Sequence, residues 1–171
     1  MRDDEFERLY AAQAQGLFAF LAYRTGDRGL AEDLLADAFE RALRTRVRYD
    51  RRRGSEKTWL YAIALNLLRD HARRAAAEGR ALERAPDAPE RDPFAGVEAR
   101  DELGRALAVL SAEEREAIAL RFGADLTVPE MAEVLGEPLT TVEGRVYRAL
   151  RKLREALGAG APPSPRPPPG R

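Results

Sequence analysis

Between Leu126 and Leu157 the chain reads LTVPEMAEVLGEPLTTVEGRVYRALRKLREAL. Ala132, Gly136 and Val142 stand four and six residues apart. That is the spacing of a helix-turn-helix, with a small residue where two helices cross, a glycine at the turn and an apolar residue that seats the second helix. The second helix carries Arg145, Arg148, Arg151, Lys152 and Arg154, and a cationic helix of this kind suits the major groove of DNA. Thr141, Glu143, Gly144, Arg145 and Arg148 are expected to face base edges. An arginine fork matches guanine, and a glutamate can accept from cytosine N4. Thr140 and Arg151 are expected to meet phosphates. Val142, Val146, Ala149 and Leu153 recur at three or four and turn inward. A helical hairpin that only packs is the alternative reading.

A second constellation lies on the segment 56–77. Leu60, Ile63, Ala64, Leu67 and His71 form one stripe, and Asn66, Arg69, Asp70, Arg73 and Arg74 form the opposite one. Asn and Arg three residues apart can reach phosphates and exposed bases together, although an ordinary solvated face has the same composition. Trp59 and Tyr61 stand at its start, beside the basic stretch RVRYDRRRG over 46–54. Aromatics beside cations suit unstacked bases, and a core position is the alternative for Trp59. A third constellation, AEDLLADAFERAL over 31–43, sets Asp33, Asp37 and Arg41 beside Leu34 and Phe39. Acid would repel DNA, so a protein partner or a solvated face explains it better.

These residues need helices to position them. The 171 residues contain no cysteine, which excludes a disulfide framework and a thiolate metal site. The single histidine suggests no familiar zinc site and no Ser-His or Cys-His pair, and no glycine-rich phosphate loop occurs. No cofactor or metal is expected. Ala, Leu, Arg and Glu dominate and favour helix, so the expected class is all-α. Helices are expected from Asp4-x-x-Glu7 to about Tyr23, over about 28–44, from a Ser55 cap over 56–77, and over about 97–109. Ser111-x-x-Glu114, Thr127-x-x-Glu130 and Thr140-x-x-Glu143 read as three capping boxes that open three more.

Two small helical domains, 1–77 and 97–157, are expected on either side of a flexible acidic linker, 78–96, with a disordered Pro-rich tail, 158–171. Net charge is +0, but it is unevenly spread. Residues 1–77 hold fifteen Arg/Lys against twelve Asp/Glu, and residues 78–102 hold four against eight. A dipolar protein fits better than a basic nucleic-acid coat. The acidic start MRDDEFERLY is no signal peptide, and no apolar run approaches membrane-spanning length. A soluble, cytoplasmic protein without membrane insertion is expected.

Taken together, three segments resemble an extracytoplasmic-function (ECF) sigma factor, a small two-domain bacterial transcription initiation subunit of the sigma-70 family. AEDLLADAFERAL (31–43) is similar to the helix that grips the RNA polymerase core. TWLYAIALNLLRDHARR (58–74) is similar to the helix that opens and reads the minus-ten element. The segment 110–155 is similar to the minus-thirty-five reader. The resemblance covers roughly 5–77 and 100–157 and implies roles by position. Asp33, Leu34, Asp37, Phe39 and Arg41 would lie on or near the polymerase-binding face. The loop 46–55 would cradle a flipped minus-ten base, with Trp59, Asn66, Arg69, Asp70 and Arg73 at the DNA there. Thr141, Glu143, Gly144, Arg145, Arg148 and Arg151 would meet the minus-thirty-five element. RNA polymerase core enzyme, promoter DNA and an anti-sigma factor are the implied partners, and no enzymatic activity is implied.

This chain departs from the family pattern at two places. Glu143-Gly144 stands where a Lys-Ser pair is usual, and Glu137 stands where an apolar residue is common. Both departures bear on which promoter sequence is read. The rival readings are a free-standing helix-turn-helix repressor and an adaptor that binds only proteins. A repressor needs neither the acidic-apolar face of 31–43 nor the polar face of 58–74.

Overall fold

The computed structural model describes residues 1–78 and 97–158, and every regular element among them is helical. Most of the expected linker and nearly all of the Pro-rich tail lie outside the described residues. The N-terminal unit is built from α1 (Asp3–Thr25), α2 (Arg28–Thr45), a 3-10 turn (Arg46–Arg48) and α3 (Glu56–Ala77). Gly26 closes α1 in the left-handed region at φ 64°, where glycine carries no Cβ penalty. The Asp27 carboxylate then accepts from Leu30 N at 3.1 Å and opens α2, so α1 and α2 fold back on each other. Ser55 opens α3 in the expected way, its Oγ accepting from Thr58 N at 3.1 Å.

The first helix begins two residues before the start that an Asp4 cap would give. Its reciprocal bond runs from Arg2 N–H to Glu5 Oε2 at 2.7 Å, and not through an Asp4–Glu7 pair. Leu17, Phe20 and Leu21 from α1, Ala31 and Ala38 from α2, and Leu60, Tyr61, Ala64 and Leu65 from α3 are almost fully buried. Tyr61 packs edge-on against Phe20, ring centroids 5.7 Å apart, and burial pushes its hydroxyl up to about 12. The buried stripe of α3 is therefore Leu60, Tyr61, Ala64, Leu65 and Leu68. Ile63, Leu67 and His71, expected on it, are half-buried at its edge.

The C-terminal unit comprises α4 (Val97–Ala108), α5 (Ala112–Ile118), a π-helical turn (Ala119–Gly123), α6 (Val128–Leu135) and α7 (Leu139–Ala156). The Ser111 and Thr127 capping boxes are both present. The third is not. Helix α7 starts at Leu139, behind Pro138, whose carbonyl accepts from Thr141 N at 3.0 Å and Val142 N at 3.2 Å. Thr140 already sits inside the helix and is exposed. Proline fixes its own φ and enters a helix well at its first residues, which displaces the expected start. Gly136, at φ 67°, ends α6 in the left-handed region, and Val142 of α7 is fully buried. The helix-turn-helix expected from Ala132, Gly136 and Val142 is formed.

Glu114 is buried, and two donors meet its Oε2. It accepts from Ser111 N at 2.9 Å and from Lys152 Nζ at 2.8 Å. The Lys152 ammonium and the Ser111 amide together hold its carboxyl below the ordinary glutamate value of 4.5. A carboxylate depressed on folding stabilises above its unfolded pKa and loses that contribution as pH falls through the folded one. Stability is therefore expected to decline as pH drops below 4.5, and Glu114→Gln to flatten that decline. Urea denaturation followed by circular dichroism at a series of acidic pH values checks this.

The two units share one continuous core, with α3 against α6 and α1 against the π-helical turn. Polar contacts border it. Glu116 accepts from Arg24 of α1 at 3.1 Å and from Arg69 of α3 at 3.3 Å. Lys57 Nζ donates to the Asp125 carbonyl at 2.8 Å.

Candidate nucleic-acid interface

Helix α7 buries Val142, Val146 and Ala149 and turns Thr140, Thr141, Glu143, Tyr147, Arg148 and Arg151 to solvent. These outward residues recur at three and four, so they share one face. Gly144 lies within that face. A Cβ there would stand 3.2 Å from Arg148 Nη1, so the bare glycine leaves room for the Arg148 guanidinium to fold across it. Arg151 pairs with Glu155 at 3.7 Å, a surface pair that competes weakly with a phosphate. Arg145 is the exception among the expected readers. Its side chain is only 13% exposed, and both its terminal nitrogens donate to Glu137. Tyr147 was not among the expected residues, yet it is 63% exposed in the middle of the outer face. An unpartnered aromatic between Glu143 and Arg151 is the signal that could have found it.

On α3, Asn66 is exposed and Asp70 pairs with Arg73 one turn on. Arg69 is engaged by Glu116. Asn66, Arg69, Asp70 and Arg73 thus belong to one polar surface, part of which the C-terminal unit already occupies. Trp59 is half-buried, tilted against Tyr49 with ring centroids 5.3 Å apart. Both rings line a cleft of about 290 Å³ together with Arg48, Arg53 and Thr58. Tyr49 Oη donates to the Gly54 carbonyl at 3.1 Å and holds the basic loop closed around the cleft.

Glu133 of α6 stands at the rim of that cleft, and its Oε2 lies 2.7 Å from where a Gly54 Cβ would sit. Gly54 also has φ 152°, a conformation that other residues rarely adopt. Gly54→Ala is expected to cost about 1–2 kcal/mol in urea denaturation. Adding Glu133→Ala should recover only the steric part and leave the backbone part.

On α2, Asp33, Asp37 and Arg41 are exposed, whereas Leu34 and Phe39 are 5% and 6% exposed. The two apolar residues do not share the outer face with the charges. Phe39 packs under Phe6 and Tyr10, at 6.2 Å and 4.7 Å between centroids. The alternation in AEDLLADAFERAL therefore separates a charged outer surface from the apolar side that fixes it. Among the described residues no group of three or more His, Cys, Asp or Glu could hold a metal ion. No helix among them is long and apolar enough to cross a membrane.

A helix-turn-helix with an exposed polar second helix thus packs against a three-helix unit with an aromatic cleft and a polar helix face. The comparisons agree region by region. Sigma-70 region 2 matches residues 9–78, and Sigma-70, region 4, matches residues 100–153. The chain is 35% identical to the ECF RNA polymerase sigma factor SigC of Mycobacterium tuberculosis over 162 residues, 92% of this chain and 83% of SigC. It is 29% identical to the ECF RNA polymerase sigma factor BldN of Streptomyces coelicolor over 90% of this chain, and it spans 61% of BldN's length. The sigma factor RpoE, solved in complex with the anti-sigma factor NepR from Bartonella quintana, superimposes with a TM-score of 0.74 at 25% identity, over 92% of this chain and 99% of that one. The chain belongs to the family of ECF RNA polymerase sigma factors.

Proposed function

We propose that the protein directs RNA polymerase to promoters, with α2 holding the core enzyme, α3 and its preceding loop engaging and melting the minus-ten element, and α7 reading the minus-thirty-five element. The observation that carries this is the division of surfaces along one chain. An acidic outer face on α2, the aromatic cleft beside a polar α3 and the polar outer face of α7 are three separate patches, and a simple DNA-binding repressor needs only the last. Asp33, Asp37 and Arg41 make the polymerase contacts, and Leu34 and Phe39 hold α2 in place from beneath. Trp59, Asn66, Arg69, Asp70 and Arg73 serve the minus-ten element. Thr141, Glu143, Gly144, Arg148 and Arg151 serve the minus-thirty-five element, with Gly144 contributing close backbone approach.

The protein acts in the cytoplasm and carries no chemical step of its own, since nucleotide addition belongs to the polymerase. By analogy with RpoE, whose solved complex holds NepR, an anti-sigma factor covers these surfaces when transcription is off. With a net charge of +0, the free protein gains little non-specific affinity from phosphates. Titration against core polymerase followed by promoter-dependent run-off transcription tests the proposal. Tight, sequence-specific binding to promoter duplex without polymerase, and no association with core enzyme, would establish the repressor instead.

A further inference from the structure

Glu137 occupies the turn between α6 and α7, one residue after the left-handed Gly136. Its two carboxylate oxygens take Arg145 Nη2 at 2.6 Å and Nη1 at 3.2 Å. This is a fork-on-carboxylate pair, the geometry in which an arginine is held most firmly. It is also partly withdrawn from water, the two side chains being 13% and 29% exposed. Arg145 therefore lies on the flank of α7 toward α5, where Glu113 also feels its charge. Arg148, three residues on, is exposed, with its guanidinium over Gly144. Two arginines of one helix, expected to be equivalent readers, stand in different electrostatic surroundings.

We infer that Glu137 is a specificity-determining positioning residue: it clamps Arg145 against the turn, withholds that cation from the groove, and leaves base reading to Arg148 and the outer face of α7. The inference rests on the reading of α7 as the minus-thirty-five helix. With its Nη1/Nη2 edge held by the carboxylate and its side chain only 13% exposed, Arg145 is drawn toward the turn and cannot present that edge to guanine O6 and N7. Releasing it would add one cation at the DNA surface. The same glutamate also lowers the local positive charge, so it sets both what is read and how strongly salt weakens the contact.

The test uses the full-length protein assembled with core polymerase, selection from a promoter library randomised at the minus-thirty-five element, and promoter affinity measured over a range of salt. The variants are Glu137→Gln, Glu137→Asp, Arg145→Ala, Glu137→Gln with Arg145→Ala, and Arg148→Ala. Glu137→Gln should raise affinity several-fold and steepen the log–log salt slope by about 1. Its selected promoters should gain one new base preference. Glu137→Asp should restore the wild-type slope and sequence, and the double variant should lose the gain. A purely packing role would change thermal stability without moving the salt slope or the selected bases. Loss of a base preference in Arg145→Ala alone would overturn the clamp, because Arg145 would then be reading while paired. So would a Glu137→Gln protein with wild-type slope and sequence. If Arg148→Ala also selects wild-type sequences, α7 is not the reader, and the clamp falls together with that reading.

Discussion

Phe39→Ala is expected to destabilise the N-terminal unit by about 3–5 kcal/mol, the usual cost of emptying a buried aromatic site. Its ring is 6% exposed and closes on Phe6 and Tyr10. Aromatic pairs of this kind add about 0.5–1.5 kcal/mol beyond simple burial. Asp37→Arg, two residues back on the exposed side, should change stability by no more than about 0.5 kcal/mol. It should nevertheless weaken association with core polymerase by tenfold or more, since like charges juxtaposed in an interface cost several kcal/mol. Urea denaturation of both variants beside titration against core enzyme separates the two effects. Wild-type affinity in Asp37→Arg would remove α2 from the polymerase interface. Phe39→Ala cannot give that answer, because a weaker complex and a weaker fold would be indistinguishable.

Glu116→Ala should act on the junction between the two units. Glu116 is 8% exposed and accepts from Arg24 and Arg69. Removing it strands the Arg24 guanidinium, which is largely buried and whose Nε has no hydrogen-bond partner among the described residues. Burial already pulls the Arg24 pKa down, and Glu116 works against that pull. Breaking a buried pair from one side costs about 3–5 kcal/mol, and the lower end applies because Arg69 remains half-exposed. The loss should appear as separation of the units, with two unfolding steps in place of one. It should also free Arg69 for nucleic acid, so that binding of a single-stranded minus-ten oligonucleotide, followed by fluorescence anisotropy, strengthens without polymerase. Glu116→Gln keeps the shape and loses the charge, and should fall between wild type and Glu116→Ala. A single cooperative transition at wild-type stability in Glu116→Ala would show that the apolar contact of α3 with α6 holds the units together without it.

What could be read from the amino acids follows how local each signal is. The Ser55, Ser111 and Thr127 caps lie within three residues of the amides they satisfy, and all three helix starts stand where expected. Thr140 carries an equally good box pattern, but Pro138 begins the helix before it. The apolar stripe of α3 was misplaced because that helix is covered on two sides, by α2 and by α6. A single 3.6-residue period cannot rank the two faces of such a helix. Leu34 and Phe39 belong to the same problem, since the sequence shows that apolar and acidic residues alternate on α2 but not which neighbour covers the apolar ones. Contacts at long range left no pattern at all. Arg24 and Glu116 are separated by 92 positions. Glu137 was conspicuous as an unusual residue in its turn, but only the folded distance to Arg145 gives it a role.

The junction of α3 with α6 also sets a limit on reach. The 140 described residues, folded as one body, would have a radius of gyration of about 14 Å and a width of about 37 Å. Two promoter elements centred about 25 base pairs apart lie about 85 Å apart along straight duplex at 3.4 Å per base pair. A molecule with α3 on α6 is therefore too short to lay one helix on each element at once. Under the roles proposed for α3 and α7, reading a whole promoter would mean trading the docked contact for length. The spacing between the two elements would then be a quantity the protein can measure, because each element would be held by a separate unit.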